Sequence, residues 1–427
     1  MCSSDLSALF TREFFTAVKS HLAQGGVFCQ WGHLYNMGES DLATLLATFR
    51  DVFPRGRVFV ISEADILIVG SEAATILNEK RVADIHEAAR ADLANSKLTP
   101  KILSAIPTVL LSDLPWLNEA RRHTDDVPVL DFSAPLSIHA QTATPNRRRL
   151  LPGDAPANTS LLRSRLALLK ASGSPEWSYD LGEGALSRGL ADREIAEEYV
   201  RSAISLHRAE AAEAALTSAI ARAPSEALLV ARGLLEWNTN RSDLALRSLQ
   251  AASRIDPRQA RAYLLGAEIQ SAAGDLQAMR RLIGPALALN PRDAEALGLA
   301  AEAELRDGRL EPARRLAEGA LGFDPIEPRA LEVRALALAQ LGRFAEARNA
   351  FVRLLEVSPE APASRNNFGV FELQQGNASA AARLFKDAAD LDPASLDSYR
   401  GLREAAVLLK DNGLIQFADR GIARLSR

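Results

Sequence analysis

The chain has 427 residues, enough for two or three domains, and its content of 47% hydrophobic and 24% charged residues is that of an ordinary soluble globular protein. Its formal net charge of −4 gives no general attraction toward nucleic acid or an anionic membrane, so neither is expected as a partner. The two cysteines, Cys2 and Cys29, exclude a disulfide framework, and the lack of a long apolar run or a signal-peptide pattern predicts a cytoplasmic protein without a membrane segment.

Residues 1–135 have the pattern of a partial α/β domain. Their apolar periodicity, with glycine and proline at the breaks, separates five elements. In chain order, these predicted elements are a helix over 7–23, a strand over 27–31, a helix over 41–53 and strands over 57–61 and 66–70. A helix, a strand, a helix and a pair of strands are typical of the second half of an open Rossmann-like sheet.

Several stretches of this domain resemble the C-terminal part of spermidine synthase-like proteins. Three of them are Ser7–Phe15, Gly25–Trp31 and Ala64–Ser71. A fourth, Thr124–Phe132, is similar to the Thr-Asp-Asp-x-Pro-x-Leu-Glu stretch that ends the domain in bacterial members. The resemblance implies a methyltransferase-like Rossmann fold. The activity that it implies is transfer of an aminopropyl group from decarboxylated S-adenosylmethionine to a diamine.

The family's nucleoside-binding residues have no counterpart in this sequence. Its glycine-rich turn, its ribose-binding acid and its catalytic carboxylate all come before the stretch that begins at Ser7. Residues 1–6 do not continue the family pattern, so we expect a truncated sequence; the alternative is a short protein with a remnant half-domain. We expect no catalytic residue, metal or cofactor in this chain, and decarboxylated S-adenosylmethionine would be a co-substrate of the parent protein alone, which in some relatives is membrane-associated.

Four residues remain as candidates for substrate contact. Gln30 matches a glutamine near the amine-binding pocket of related synthases, and Tyr35 lies on the following loop. Asp125 and Asp126 have the charge needed to bind a cationic substrate. The alternative for Gln30 is a hydrogen bond to neighbouring backbone. The alternative for the two aspartates is a turn and cap before an apolar strand over 127–132.

Two segments connect this domain to the rest of the chain. Residues 72–120 are predicted to be a mostly helical insertion, beginning with an amphipathic helix over 72–96. Residues 136–157 are rich in proline and contain the run Arg147–Arg149, which favours a solvated linker over a nucleic-acid site. Helices within residues 158–192 then lead into the second half of the chain.

A proline recurs at intervals of 33 or 34 residues in the second half of the chain. These prolines are Pro224, Pro257, Pro291, Pro325, Pro359 and Pro393. In four successive units a glycine stands at the same place, namely Gly274, Gly308, Gly342 and Gly376. An internal period of this length predicts six helix-pair repeats over 193–395, followed by capping helices over 396–427. The fold is therefore expected to be mainly α, an α-solenoid preceded by the partial α/β domain.

The repeat unit resembles the tetratricopeptide repeat, with small residues where its two helices meet, as at Ala313 and Ala320. The resemblance implies a concave groove that binds a protein or peptide and is lined by five positions of each first helix. Among the residues at these positions, the candidates are Arg261, Leu264, Glu268, Glu302, Arg306, Arg329, Glu332, Leu336, Asn366 and Val370. The alternative is that these residues are solvated faces of a spacer.

These patterns favour a protein-interaction scaffold attached to a catalytically incomplete spermidine synthase-like domain. The chain as given is expected to be inactive as an enzyme. The alternative is a fragment of an aminopropyltransferase whose nucleoside-binding half is missing from the sequence. The sequence names neither the protein partner nor the amine substrate.

Overall fold

The computed structural model describes residues 8–72, 79–91, 99–133, 136, 141–151 and 159–426. The chain divides into two compact units, Met1–Ser248 and Leu249–Arg427, called unit 1 and unit 2 below. Their described residues are mainly helical, with a small α/β part in unit 1, so the predicted fold class is confirmed. Among the described residues of both units, no helix is long and apolar enough to cross a bilayer.

The α/β part of unit 1 contains a four-stranded sheet. Its strands are β1 (Val27–His33), β2 (Arg57–Val60), β3 (Asp65–Ser71) and β4 (Thr108–Leu110), in the spatial order β1-β3-β2-β4. Each pair of neighbouring strands is antiparallel, so β1 and β2, which flank β3, run parallel to each other. The first three strands were predicted from the sequence, whereas β4 was not, because three residues are too few to show a period.

Two helices, Arg12–His21 and Glu39–Val52, supply the core of the α/β part. The rings of Phe15 and Phe49 lie 5.0 Å apart, edge to face, and Phe28 of β1 stacks on Phe49 at 6.1 Å. Gly70 of β3 permits a close approach in this cluster, because a Cβ atom there would lie 2.5 Å from the ring of Phe53. The helix that begins at Arg12 is capped by the Thr11 hydroxyl, which accepts a hydrogen bond from the Phe14 amide.

Two predictions for the segments after β3 are wrong, and a third lies partly outside the described residues. Residues Ala143–Leu150 form a helix with three buried residues, so this part of the predicted linker is wrong. The strand predicted over 127–132 is also wrong, because Val129–Ser133 is helical. Within the insertion predicted over 72–120, the structure has the helices Glu79–Ala88 and Pro100–Leu103 as well as β4. The remainder of the helix predicted over 72–96 lies largely outside the described residues.

The rest of unit 1 is helical. Two helices, Thr159–Ala171 and Pro175–Ser187, lead into the first helix pairs, as the sequence predicts. These pairs are Arg193–Ser205 with Ala209–Arg222 and Glu226–Asn238 with Ser242–Ile255, and the last of these helices spans the boundary between the units. Tyr199 is fully buried, its hydroxyl lies 3.4 Å from that of Tyr179, and burial raises the pKa of Tyr199 far above its usual range.

Unit 2 is a stack of antiparallel helix pairs, that is, an α-solenoid. The pairs are Ala260–Ala273 with Leu276–Leu289, Ala294–Arg306 with Leu310–Phe323, Pro328–Gln340 with Phe344–Val357, Pro362–Gln374 with Ala378–Leu391, and Leu396–Leu409 with Asn412–Leu425. The final pair comprises both helices that the sequence predicts as the C-terminal cap.

The recurring residues have the predicted places in the repeat. Each of the six prolines stands two residues after the end of a second helix, where the chain turns into the next pair. Gly274, Gly308, Gly342 and Gly376 all have φ between 74° and 78°, which is left-handed backbone in the turn within a pair. Small residues such as Ala313 and Ala320 are fully buried where the helices meet. The repeat markers therefore fix the turns and the close helix contacts.

Candidate functional site

The predicted partner-binding residues lie on the first helices of the pairs in unit 2. We call the surface formed by helices Ala260–Ala273, Ala294–Arg306, Pro328–Gln340, Pro362–Gln374 and Leu396–Leu409 the first-helix face. The structure separates the predicted residues into three groups: polar residues that bond one another, apolar residues packed in the core, and one exposed valine.

A charge network joins three successive first helices. Arg329 donates hydrogen bonds to Glu302 on the preceding first helix and, at 3.2 Å, to Glu268 on the first helix before that. Glu302 also accepts a hydrogen bond from the Ser271 hydroxyl at 2.6 Å and pairs with Arg306 at 2.6 Å. Four of the residues predicted from the sequence thus meet in one network, with Ser271 as its fifth member.

Two members of this network, Glu302 and Arg329, have shifted pKa values. Burial alone would raise the pKa of Glu302, but hydrogen bonds from Ser271 and Arg329, together with the charges of Arg329 and Arg306, hold it below its ordinary value. Burial opposes the charged form of Arg329, yet Glu302 and Glu268 raise its pKa. Glu302 and Arg329 therefore both favour their charged forms.

Glu327 lies beside this network and titrates differently. Burial raises its pKa to about 7, against the opposing effects of a hydrogen bond from the Ala330 amide and the charge of Arg329. That amide donates to Glu327 Oε2 at 2.5 Å, so the carboxylate caps the helix that begins at Pro328. A Cβ atom at Gly298 would lie 2.9 Å from the same oxygen, so glycine leaves room for the buried side chain.

Further hydrogen bonds link successive first helices at both ends of the charge network. Arg261 donates to Glu295 at 2.5 Å. Asn367 donates to Glu332 at 2.7 Å, and Asn366 donates to the Ser398 hydroxyl at 2.9 Å. The partners in these bonds are 34, 35 and 32 residues apart, about one repeat. The predicted polar residues of the face thus already have partners within unit 2.

Two of the predicted groove residues contribute to the core rather than to an open surface. Leu264 is only 3% exposed and packs in an apolar cluster with Met279 and Leu299, so its side chain lies in the core. Leu336 is partly buried against the cluster around Phe351 and Phe368. Repeat position alone did not show how deeply these leucines lie between the helices.

The C-terminal end of the first-helix face has exposed apolar side chains. Val370 is 46% exposed, and in the next first helix Val407 and Leu408 are 49% and 62% exposed. Val407 and Leu408 stand 34 residues after Leu373 and Gln374, so they occupy positions that line the predicted groove. The sequence analysis did not predict Val407 and Leu408 as groove residues, because it assigned residues 396–427 to a cap. The 34-residue spacing could have identified both.

Gln30 and Tyr35, the candidates in the α/β part, lie at or next to the edge strand β1. The Gln30 side chain donates to the carbonyl oxygen of Trp31 at 3.2 Å, which is the neighbouring-backbone bond weighed as its alternative. Tyr35 is 41% exposed and its ring lies 4.6 Å from that of His33, which in turn contacts Trp31 at 4.5 Å. The three rings form an aromatic row on the surface.

Asp125 and Asp126 lie in a turn on a different segment. The Asp125 amide donates to Glu13 Oε2 at 3.1 Å, and the Val127 amide donates to the Thr124 hydroxyl at 3.0 Å. Within the described residues, no hydrogen bond or ion pair joins these aspartates to Gln30 or Tyr35. The four residues predicted to contact a substrate therefore do not form one bonded cluster.

Arg147 is a buried cation whose environment the sequence did not predict. Its side chain is 4% exposed and donates to Glu63 at 3.1 Å and to Asp180 at 2.8 Å. The guanidinium lies 5.0 Å from the ring centre of Trp177, and the neighbouring Arg148 also binds Asp180, at 3.0 Å. Arg147, Arg148, Trp177 and Asp180 line an open cleft of ≈ 700 Å³ in unit 1. The arginine run thus includes a structural ion pair, contrary to its prediction as solvated linker.

Comparisons with known proteins agree with the repeat assignment. Residues 333–395 match the family model described as tetratricopeptide repeat. No curated protein sequence matches the chain. Tetratricopeptide repeats in the C-terminal half, predicted from the periodic prolines and glycines, are therefore confirmed.

Solved structures are similar at low sequence identity. The Cut9–Hcn1 hetero-tetramer of the APC/C matches with 14% identity and a TM-score of 0.53, over 62% of this chain and 53% of that one, so the match spans about half of that chain. A tetratricopeptide protein of Thermus thermophilus matches with 21% identity and a TM-score of 0.39, over 43% of this chain and 100% of that one. The type IV pilus biogenesis factor PilW matches with 20% identity and a TM-score of 0.41, over 47% of this chain and 91% of that one. The similarity to Cut9–Hcn1 supports the fold alone.

Proposed function

We propose that unit 2 is a protein-interaction scaffold whose first-helix face binds a peptide segment of a partner protein. Tetratricopeptide helix pairs present a row of parallel first helices, and a peptide can lie along such a row with its side chains in the spaces between them. The polar residues from Arg261 to Glu332 bond one another, so they hold the helices in register. They are less available to a ligand than the apolar residues that follow.

The observation that carries this proposal is the exposure of Val370, Val407 and Leu408 at the C-terminal end of the face. Large apolar side chains exposed together at repeat positions favour binding over simple solvation. We therefore place the main contact on helices Pro362–Gln374 and Leu396–Leu409 and expect an apolar anchor in the peptide. The charge network upstream is expected to contribute orientation rather than most of the affinity.

Single substitutions on two sides of unit 2 test this proposal. Peptides would first be selected from a random library on the full chain, and their affinity would be measured by calorimetry. Val370→Glu and Leu408→Glu are each expected to weaken binding about tenfold to a hundredfold, because each places a charge in an apolar contact. Val352→Glu is the matched control, since Val352 is 45% exposed but lies on a second helix. Equal losses in all three variants, or no loss at Val370 and Leu408, would contradict the proposal.

We also propose that the α/β part of unit 1 is related to the C-terminal part of spermidine synthase-like proteins. The supporting observation is the sheet, in which β1 and β2 run parallel, the helix Glu39–Val52 connects them and β3 lies antiparallel between them. A strand, a helix and a parallel strand form the unit from which Rossmann-like sheets are built. In the alternative, the chain belongs to an aminopropyltransferase whose nucleoside-binding residues lie outside these 427 residues.

A turnover assay distinguishes a related but catalytically incomplete domain from a chain that belongs to an aminopropyltransferase. The chain as given is expected to form no spermidine from putrescine and decarboxylated S-adenosylmethionine, because Gln30 bonds to backbone and is not joined to the aspartates. Product would be measured by chromatography against a boiled-protein control. Product above that control, reduced by Gln30→Ala, would favour the aminopropyltransferase.

A further inference from the structure

Two successive second helices of unit 2, Leu276–Leu289 and Leu310–Phe323, each expose an arginine that has no carboxylate partner. Arg281 and Arg315 stand 34 residues apart, at the same position of neighbouring repeats. Both residues are exposed, and within the part of the chain that the structure describes neither side chain makes an ion pair or a hydrogen bond. Their charges are therefore available to a ligand.

The arginine directly before each of these residues does have a partner. Arg280 pairs with Asp307, and Arg314 pairs with Glu311 at 2.8 Å and with Glu318 at 2.6 Å. Glu311 and Glu318 are the only acidic residues of their helix, and the helix that contains Arg280 has none. The following arginine is thus left without an acidic partner on either helix.

The helix surface beside these arginines carries small residues. Gly319 and Gly322 stand four and seven positions after Arg315, so all three lie on one face of their helix, and both glycines are exposed. Pro285 and Ala288 occupy the corresponding positions of the preceding repeat and are exposed as well. The backbone of both helices is therefore accessible on the face that carries the arginine.

Packing does not account for the two glycines. A Cβ atom added at Gly319 or Gly322 would meet no described atom within 4 Å, whereas at Gly369 it would lie 2.9 Å from the ring of Phe385. Glycine inside a helix is less stable than alanine, so an exposed glycine without a packing role weakens the helix. Such a residue leaves room for the close approach of another backbone.

Each of the two helices ends on an exposed apolar side chain. Leu289 is 41% and Phe323 52% exposed. Arg292, which is also exposed, lies with its guanidinium 5.9 Å from the ring centre of Phe323 and adds a third cation. We call Arg281, Leu289, Arg292, Arg315 and Phe323 the second-helix patch.

The composition of this patch indicates the chemistry of its ligand. Cations without counter-charges attract carboxylates, and large apolar side chains beside them favour a ligand that also has apolar groups. Residues 249–427 contain as many acidic as basic side chains, so unit 2 has no general attraction for nucleic acid. A polypeptide that combines acidic and apolar residues matches both features of the patch.

We propose that the second-helix patch docks an acidic segment of a partner protein. Carboxylates of the segment bind Arg281 and Arg315, and an apolar side chain packs on Leu289 and Phe323. The segment crosses the helices where glycine leaves their backbone accessible. This site is separate from the first-helix face and does not depend on the function proposed for it.

Fluorescence anisotropy of labelled peptides with the full chain tests this proposal. One peptide would contain only leucine and glutamate, and two others of the same length would have glutamine or lysine in place of each glutamate. The glutamate peptide is expected to bind about tenfold more tightly than either of the others, and its affinity should fall as the salt concentration rises.

Three variants locate the contact. Arg281→Gln and Arg315→Gln are each expected to raise the dissociation constant of the glutamate peptide about fivefold to tenfold, because each removes a cation that binds a carboxylate. Gly319→Gln should weaken binding as well, because its side chain covers the accessible backbone. The same variant is expected to raise the melting temperature of unit 2, since glutamine favours a helix and its Cβ atom meets no neighbour. A loss of affinity with a gain in stability cannot result from unfolding.

Arg383→Gln is the matched control and should leave the affinity unchanged. Arg383 is exposed at the same repeat position and makes no ion pair with any residue that the structure describes, but its helix, Ala378–Leu391, has Asp387 and Asp390 where the patch has small residues. Val370→Glu should also have no effect, because Val370 belongs to the first-helix face.

Several results would overturn the proposal. One is equal affinity for the three peptides, and another is an equal loss in Arg281→Gln and Arg383→Gln. A loss in Val370→Glu with none in Arg281→Gln would place the peptide on the first-helix face. Tighter binding of a single-stranded oligonucleotide than of the glutamate peptide, abolished by Arg281→Gln, would assign the patch to nucleic acid instead.

Discussion

Replacement of Arg147 by methionine is expected to lower the free energy of unfolding of unit 1 by about 3–5 kcal/mol. The substitution removes the buried counter-charge of Glu63 and the cation that contacts Trp177. Oε2 of Glu63 is buried and accepts no hydrogen bond from the described residues, so this carboxylate would remain poorly compensated. Urea unfolding followed by tryptophan fluorescence measures the change in unit 1, because the chain's four tryptophans are Trp31, Trp116, Trp177 and Trp237.

The adjacent arginine provides the control for this prediction. Arg148 binds the same carboxylate, Asp180, at 3.0 Å, but its side chain is 64% exposed. Arg148→Met is therefore expected to cost less than about 1 kcal/mol, as is usual for exposed ion pairs. If the two variants lose similar stability, the account of Arg147 as a buried structural cation is wrong.

Replacement of Arg329 by methionine is expected to destabilise unit 2 by about 2–4 kcal/mol at neutral pH. Glu302 and Glu268 have side chains that are only 13% and 19% exposed, and they would face each other without the cation between them. Circular dichroism measures the loss, since unit 2 contains no tryptophan. Arg315→Met is the control, because Arg315 is exposed on a second helix and makes no ion pair among the described residues; a change within about 0.5 kcal/mol is expected.

The cost of Arg329→Met is expected to shrink as the pH falls from 7 toward 3. The pKa of Glu302 is lowered in the folded chain, so its stabilising effect is complete above its unfolded pKa, about 4.3, and is lost as the pH falls through the lower folded value. Burial raises the pKa of Glu327 to about 7, so this carboxylate is already protonated below that pH and no longer needs Arg329. A cost that is constant between pH 7 and pH 3 would contradict the proposed network.

Local sequence signals were sufficient for the turns of the repeats. Proline cannot continue a helix that it follows, and glycine readily adopts left-handed backbone, so their recurrence at a fixed spacing placed Pro291 and Gly274 in turns without knowledge of their neighbours. The strand β1 was likewise recognisable as a short apolar run. These features depend on the backbone preferences of single residues or short runs.

Long-range contacts could not be predicted in the same way. Arg147 is separated from Glu63 by 84 residues and from Asp180 by 33, so its composition-based interpretation as linker missed its burial. The bonds of Arg329 to Glu268 and Glu302 were equally invisible, although repeat position correctly placed all three on the first helices. Repeat position indicates which helix face a residue occupies, whereas exposure depends on the neighbours that the fold supplies.

Hydrogen–deuterium exchange of the full chain, with and without a selected peptide, tests the proposed binding face most directly. Amides in Pro362–Gln374 and Leu396–Leu409 are expected to gain the largest protection on binding, because these helices carry the exposed Val370, Val407 and Leu408. Protection confined to the second helices, such as Phe344–Val357 and Ala378–Leu391, would contradict a scaffold that binds through its first-helix face.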